Sequence, residues 1–360
     1  MSTRVLYVHH GQGLGGAPLS LLYLLQSLDR TRYEPIVACL HDGEGADLFR
    51  RNGFEVHIWS EISDFAHVNG GWYPLHDPRG IWAFINHLIR LLPSALRVKK
   101  AIISINPDIV HLNSSTLITV ALGARWAGVP CVWHVRETVH SGYLGLRRFW
   151  LRRAVNTLPN AVIYICEANR MAWQDRGLGE VIYNFVDFSR FDRNASGERM
   201  RQKLGLAPTD KVVLMLGGLS KVKGARELIL AMSQVRTWLP TARCVIAGYA
   251  GVDENDLSHT RRILRCFGLR GYADSVAKLI KDKGLSDCVL LPGWCQNVPE
   301  LIAAADVVAV PWTTAHFACP VIEAGAMAQP VVGFQVGGVE EVVQHAITGL
   351  IVPPGDVKAL

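Results

Sequence analysis

The stretch DVVAVPWTTAHFACPVIEAGAMAQPVVGFQVGGVEEVV, residues 306–343, holds the pattern that decides the fold. Residues 307–312 (VVAVPW) and 330–334 (PVVGF) are short, apolar and β-branched, as buried strands are. Between them lie an irregular loop and a short helical run, PVIEAGAM, with one carboxylate, Glu323. Strand, helix, strand is the unit of parallel α/β architecture.

Working outward, the same unit recurs. In the first half the spacing predicts strands at 4–10, 35–41, 55–59, 108–113, 130–135 and 161–166. In the second it predicts them at 211–217, 243–248, 288–293, 307–312, 330–334 and 349–353. APLSLLYLLQSL and GARELILAMSQV carry apolar residues three and four apart, as amphipathic helices do. A polar stretch broken by Gly and Pro interrupts the pattern at 188–210. The reading is two facing doubly wound, Rossmann-like domains, 1–187 and 211–360, with 188–210 as linker and a ligand cleft between them. At the last residues, PPGDVKAL, Gly-Asp looks like the start of a helix, so a C-terminal helix is expected to be missing.

Composition narrows the classes. With 49% hydrophobic and 19% charged residues, 360 in all, the chain is globular. Its 37 Lys plus Arg against 31 Asp plus Glu give a charge of +6, which suits anionic small molecules or an anionic membrane but not nucleic acid. Eight cysteines without a Cys-x-x-Cys pair argue against a disulfide framework or zinc site and for a reducing, cytoplasmic compartment. There is no signal-peptide layout and no uncharged apolar run of the roughly 18 residues that a membrane span needs. A soluble or peripherally attached protein is expected.

Two loops carry chemistry. The first strand runs into GQGLGGAPLSLL, with Gly11, Gly13 and Gly16 in dinucleotide-fingerprint spacing and Pro18 suited to a first helical turn. Read alone, this loop fits a dinucleotide, with Asp42 as its acid, a phosphate-bearing sugar ligand, or a plain tight turn. After strand 211–217, GGLSKVKGARELILAM places Lys223 and free helix-start amides at a strand's carboxyl end, where a diphosphate could sit. Glu323 lies in an apolar stretch where a carboxylate needs a polar partner, and a ribose offers two adjacent hydroxyls.

With those residues set out, the chain resembles the retaining glycosyltransferases of family 4, of GT-B fold. GGAPLSLL, PDIVHLN, VPCVWHVRE, VIYNFVDFSRF, GGLSKVKG, ELIAAADVVAVPW and PVIEAGAMAQPVV carry the resemblance, in the family's order. It implies a nucleotide-diphosphate sugar as donor, a glycan or lipid-linked acceptor, and no metal or other cofactor. It implies that Gly15, Gly16 and Gly218 approach the donor, that His134 faces its sugar and that Lys223 grips its diphosphate. Glu323 then binds the ribose, the backbone of Phe317, Ala318 and Cys319 cradles sugar and phosphate, and Trp294 to Val298 lie near the base. His134 and Lys223 are the catalytic pair on this view.

Two positions depart from the family. Gly218 stands where an arginine is usual, and Lys221 is the nearby substitute. Ala315 stands eight residues before Glu323, where a glutamate is usual, and His316 or Glu137 is the candidate replacement. For the acceptor side, GIWAFINHLIRLLPSALRVKKAI (80–102) and YLGLRRFWLRRAV (143–155) are basic and aromatic, and Arg147, Arg148, Arg152 and Arg153 suit an anionic membrane surface on the cytoplasmic side. The expected role is hexosyl transfer in cell-surface polysaccharide synthesis. The alternatives are a non-catalytic nucleotide-sugar-binding relative and an NAD(P)-dependent oxidoreductase, with an epimerase on a similar scaffold behind them.

Overall fold

A computed structural model describes residues 2–11, 13–63, 78–139, 145–248 and 271–360. It divides into two units, Met1–Asn184 and Phe185–Leu360.

The first unit is built on β1 (Thr3–His9), β2 (Tyr33–Cys39), β3 (Val56–Ile58), β4 (Ile109–Leu112), β5 (Cys131–Val135), β6 (Ala161–Tyr164) and β7 (Gly179–Val181). They form one parallel sheet in the order β3-β2-β1-β4-β5-β6-β7. Its helices are α1 (Gly16–Ser27), α2 (Glu44–Arg51), α3 (Pro78–Ile105), α4 (Ile118–Ala127), α5 (Leu146–Val155) and α6 (Glu167–Trp173). Leu21, Leu25, Ala46 and Phe49 of α1 and α2 fill one side of the sheet. Val98, Ile102, Val120, Ala124, Leu151 and Val155 of α3, α4 and α5 fill the other. Strands covered on both faces read as continuous apolar runs, which is why six of the seven were visible in the sequence.

The second unit repeats the plan with α7 (Glu198–Lys203), β8 (Lys211–Leu216), α8 (Ala225–Trp238), β9 (Ala242–Ala247), α9 (Tyr272–Asp282) and β10 (Val289–Gly293). It continues through α10 (Val298–Ala303), β11 (Val307–Val310), α11 (Cys319–Ala326), β12 (Val331–Phe334) and β13 (Gly349–Val352). The parallel order is β10-β9-β8-β11-β12-β13. Residues 188–210, read from sequence as a linker, lie in this unit, where Phe191, Met200 and Leu206 join its core.

Both sheets are thus Rossmann-like, with one reversal of strand order each, between β1 and β4 and between β8 and β11. Loops at the carboxyl ends of those two strand pairs are where such sheets hold ligands. Cys266 lies outside the described residues, and no disulfide joins the seven described cysteines. Among the described residues no helix is long and apolar enough to cross a membrane.

Candidate active site

In the second unit the two loops at the reversal are tied together. Thr313, after β11, donates from its backbone N–H to Val222 O (3.1 Å) and from Oγ1 to Lys221 O (3.1 Å). Gly224, at φ +76°, is the N-cap of α8, and a Cβ there would fall 1.7 Å from Pro311 O, so only glycine lets the loops touch. Gly218 also sits in the left-handed region, at φ +70°, and donates its N–H to Ala247 O. That backbone favours glycine over the arginine usual in the family.

This junction positions Lys223. Its stem runs past Gly217, and its Nζ lies 3.3 Å from the centre of the Trp312 ring. Burial pushes the Lys223 ammonium down to about 8, opposed by the nearby Cys319. Among the described residues no carboxylate pairs with it. Trp312, only 3% exposed, stacks on His316 with ring centroids 5.4 Å apart. His316 is fixed from behind, its N–H donating to Gly337 O at 2.9 Å. Lys221, the expected substitute for arginine, has an exposed side chain and contributes its carbonyl to the junction.

Phe317 and Ala318 are buried and lead into α11, with Ala318 as N-cap. Pro320 in the first turn has no N–H and Val321 N donates to Ala318 O at 2.9 Å, so the backbone amides at the helix start are those of Phe317, Ala318 and Cys319. Cys319 and Glu323 are four residues apart and share a face of α11. Glu323 is partly buried and accepts no hydrogen bond from the described residues. Burial raises its carboxyl to about 7, with Arg190 pulling the other way. Arg190 itself donates to Gln296 O at 3.2 Å, which brings Arg190 toward the 294–298 segment. Trp294, 56% exposed, follows β10, and Val298 opens α10 after an Asn297 cap.

In the first unit the reversal is lined by buried polar groups. Asn113 donates to His9 Nδ1 and to Ala17 O, both at 3.2 Å, linking β4 to the start of α1. Gly15 is the N-cap of α1 at φ −159°, an ordinary extended backbone, and open space surrounds the place of a Cβ at Gly13, Gly15 and Gly16. Packing within the unit therefore does not demand these glycines. Asp42, the acid a dinucleotide would need, is paired with Arg50 at 2.8 Å instead.

His134, next to last in β5, is buried, with Arg136 Nη2 donating toward its Nδ1 at 3.5 Å and its Nε2 unpartnered among the described residues. Burial, then the charge of Arg136, holds His134 well below the usual histidine range, so it is neutral. His9 and His111 are likewise pushed down to about 3 by burial first and Arg136 among the nearby charges. Arg136 is braced by Asn113 Oδ1 (2.7 Å) and Asn184 Oδ1 (2.9 Å).

Two sequence expectations are corrected. Glu137 does not offer a free carboxylate: it accepts from Ser114 Oγ (2.6 Å), Ser115 N (2.8 Å) and Ser115 Oγ (2.7 Å), and braces the β4–α4 turn. Burial alone would raise its pKa, but His10 and these hydrogen bonds outweigh it and the carboxyl stays low. The four arginines of α5 do not share one surface either. Arg147 is 4% exposed, on the buried face with Leu151 and Val155, and Arg152 donates to Ala172 O. Arg153 is exposed and Arg148 half-buried, beside exposed Phe149 and Trp150. No group of three metal-ligating side chains occurs among the described residues.

Comparison with known proteins settles the family. The description "Glycosyltransferase Family 4" matches residues 14–190, and "Glycosyl transferases group 1" matches residues 196–360. The chain belongs to the family 4 glycosyltransferases. It is 25% identical over 181 residues to N-acetyl-alpha-D-glucosaminyl L-malate synthase of Bacillus anthracis, a match covering 50% of this chain and 42% of that protein. It is 30% identical over 180 residues to D-inositol 3-phosphate glycosyltransferase of Segniliparus rotundus, covering 48% and 35%. Each match thus spans less than half the length of the relative. In fold it is similar to Anabaena HepE solved with UDP-glucose, at TM-score 0.77 and 24% identity, over 99% of this chain and 86% of that one. This family 4 chain therefore has the GT-B pair of Rossmann-like domains.

The sequence reading missed Trp312, Arg190, Asn113 and Arg136. Trp312 looked like the end of a strand, and only its partner Lys223, from another loop, reveals its use. Asn113 ends a predicted strand and Arg136 follows one, at carboxyl ends, which was the available signal.

Proposed function

We propose that the chain transfers a hexose from a nucleoside-diphosphate sugar to a glycan or lipid-linked acceptor, with retention at the anomeric carbon. The observation that carries this is the pair Lys223 and Glu323. One is a partly buried ammonium without a counter-ion and the other a partly buried carboxylate without a hydrogen-bond donor among the described residues. Both belong to the loops and helix that follow β8 and β11. An ammonium suits a diphosphate and a carboxylate suits the two ribose hydroxyls. HepE, a protein of this fold, has been solved with UDP-glucose, which supports the same donor class.

In the transfer, the bond between the anomeric carbon and the diphosphate oxygen breaks with its electron pair going to the diphosphate. The acceptor hydroxyl oxygen bonds to the anomeric carbon, and its proton passes to the departing phosphate oxygen. Lys223 and the backbone N–H groups of Phe317, Ala318 and Cys319, leading into α11, stabilise the growing negative charge. Gly15, Gly16 and Gly218 leave room for the donor, Trp294 to Val298 meet the base, and neutral His134 orients the sugar through its open Nε2. His316, fixed by Trp312, replaces the missing glutamate at Ala315. The reaction needs no divalent metal, so chelation leaves it unchanged. The compartment proposed is the cytoplasm and the role cell-surface polysaccharide synthesis.

A thermal-shift series tests the donor class. UDP or GDP and their sugars raise the melting temperature, whereas NAD(H) and NADP(H) do not. Stabilisation by the dinucleotides alone overturns the proposal. Release of nucleoside diphosphate from a sugar donor then separates an enzyme from a binding relative.

A further inference from the structure

We propose that the outward side of α3, α4 and α5 in the first unit is a docking surface for an anionic lipid bilayer. The inference rests on that unit alone and is independent of the donor assignment. The three helices cover the same face of the sheet, so their opposite sides form one outer layer.

The apolar content of that layer is ordered. Along α3, Trp82 (69% exposed), Ile85, Ile89 (67%), Leu92, Leu96 and Ile103 lie exposed at intervals of three, four or seven residues. That spacing makes one stripe on one side of a helix. Val98 and Ile102, on another side of α3, are in the core, so the exposed stripe is additional to the one that packs. Trp126 on α4 and Phe149 and Trp150 on α5 add exposed aromatic rings to the same layer. Scattered exposed hydrophobes are ordinary, whereas a continuous row of this kind marks an interaction surface.

Charge identifies the occupant. The three helices together contain ten Lys and Arg and no Asp or Glu, in a chain with 31 acidic residues. Glu61, which lies against α3, is met by Arg97 at 3.7 Å. A second copy docked through this stripe would bring two cationic layers together with no carboxylate on either set of helices to answer them. An anionic bilayer answers both features at once, taking the apolar stripe and the rings to headgroup depth and pairing phosphates with Lys99, Lys100, Arg148 and Arg153. Arg147 is buried and Arg152 donates to Ala172 O, which leaves Arg148 and Arg153 of α5 for the lipid.

The test is vesicle flotation of the full chain with phosphatidylcholine vesicles and with vesicles also containing phosphatidylglycerol, across a salt titration. The wild type is expected on the anionic vesicles at least tenfold more than on the neutral ones, and to be released by salt. The variant I89Q/L92Q/L96Q and the variant K100Q/R148Q/R153Q are each expected to lose at least tenfold in binding. Both should keep wild-type melting temperature and nucleotide binding, because none of the altered side chains is buried. Absence of wild-type binding, or equal binding by the variants, overturns the proposal. So does a wild-type dimer in solution that I89Q/L92Q/L96Q converts to monomer, which assigns the stripe to a second copy.

Discussion

The Lys223 ammonium lies 3.3 Å from the centre of the Trp312 ring, and the two residues come from the loops after β8 and β11. A cation over an aromatic face gains about 0.5–2 kcal/mol, more as water is excluded. The ring therefore keeps a charge in a partly buried place where no carboxylate among the described residues pairs with it, and in the proposed function that charge meets the diphosphate.

This sets a pH dependence. Burial lowers Lys223 to about 8, so its contribution to nucleoside-diphosphate affinity is constant below that value and falls about tenfold per unit above it. Trp312→Leu removes the favourable contact with the charged form, so the fall begins at lower pH. Calorimetric titration across the alkaline range measures both curves, and coincident midpoints would contradict the role given to Trp312.

Gly224→Ala tests the loop junction. The new Cβ would meet Pro311 O in a backbone at φ +76°, which costs about 3 kcal/mol or more through strain and overpacking. Denaturant unfolding should show that loss, together with weaker diphosphate binding, whereas a wild-type midpoint would mean the contact relaxes freely.

Glu323 gives a stability signature. Its folded value of about 7 exceeds the ordinary 4.5, so the folded state holds more protons between them and stability falls as pH rises through that window. Above it, Glu323→Gln is expected to be more stable than wild type by about 1–3 kcal/mol, the scale of such a shift. Unfolding curves at acid and mildly alkaline pH check this, and an equal or larger wild-type stability at alkaline pH would refute it.

Glu137→Gln should act the other way. The amide nitrogen faces donors that the carboxylate now accepts from, so about 2–3 kcal/mol of stability is lost at neutral pH. Because the folded pKa is depressed, the wild-type advantage is present above the unfolded value and disappears as pH falls through the folded one. A neutral-pH loss of that size, vanishing in acid, is the expected result of paired melts.

Much of the fold was legible because buried parallel strands carry continuous apolar runs. β7 was not, since its three residues, Gly179 to Val181, include a glycine and a carboxylate and carry no such run. Lys223 and Glu323 were visible as charges out of place in apolar or glycine-rich surroundings. Trp312 and Arg190 were not, because their roles depend on contacts between loops far apart in sequence. Arg147 misled for a different reason. Counting four arginines ignored helical phase, which puts Arg147 on the buried side with Leu151 and Val155.

The central claim is that Lys223 reads the diphosphate and Glu323 the ribose of one donor. Parallel calorimetric titrations of nucleoside and nucleoside diphosphate into wild type, Lys223→Met and Glu323→Gln test it most directly. Lys223→Met should lose about 1.5–3 kcal/mol for the diphosphate and nothing for the nucleoside, while Glu323→Gln should weaken both. Wild-type affinity of either variant for both ligands, or equal loss of nucleoside and diphosphate in Lys223→Met, would contradict the account.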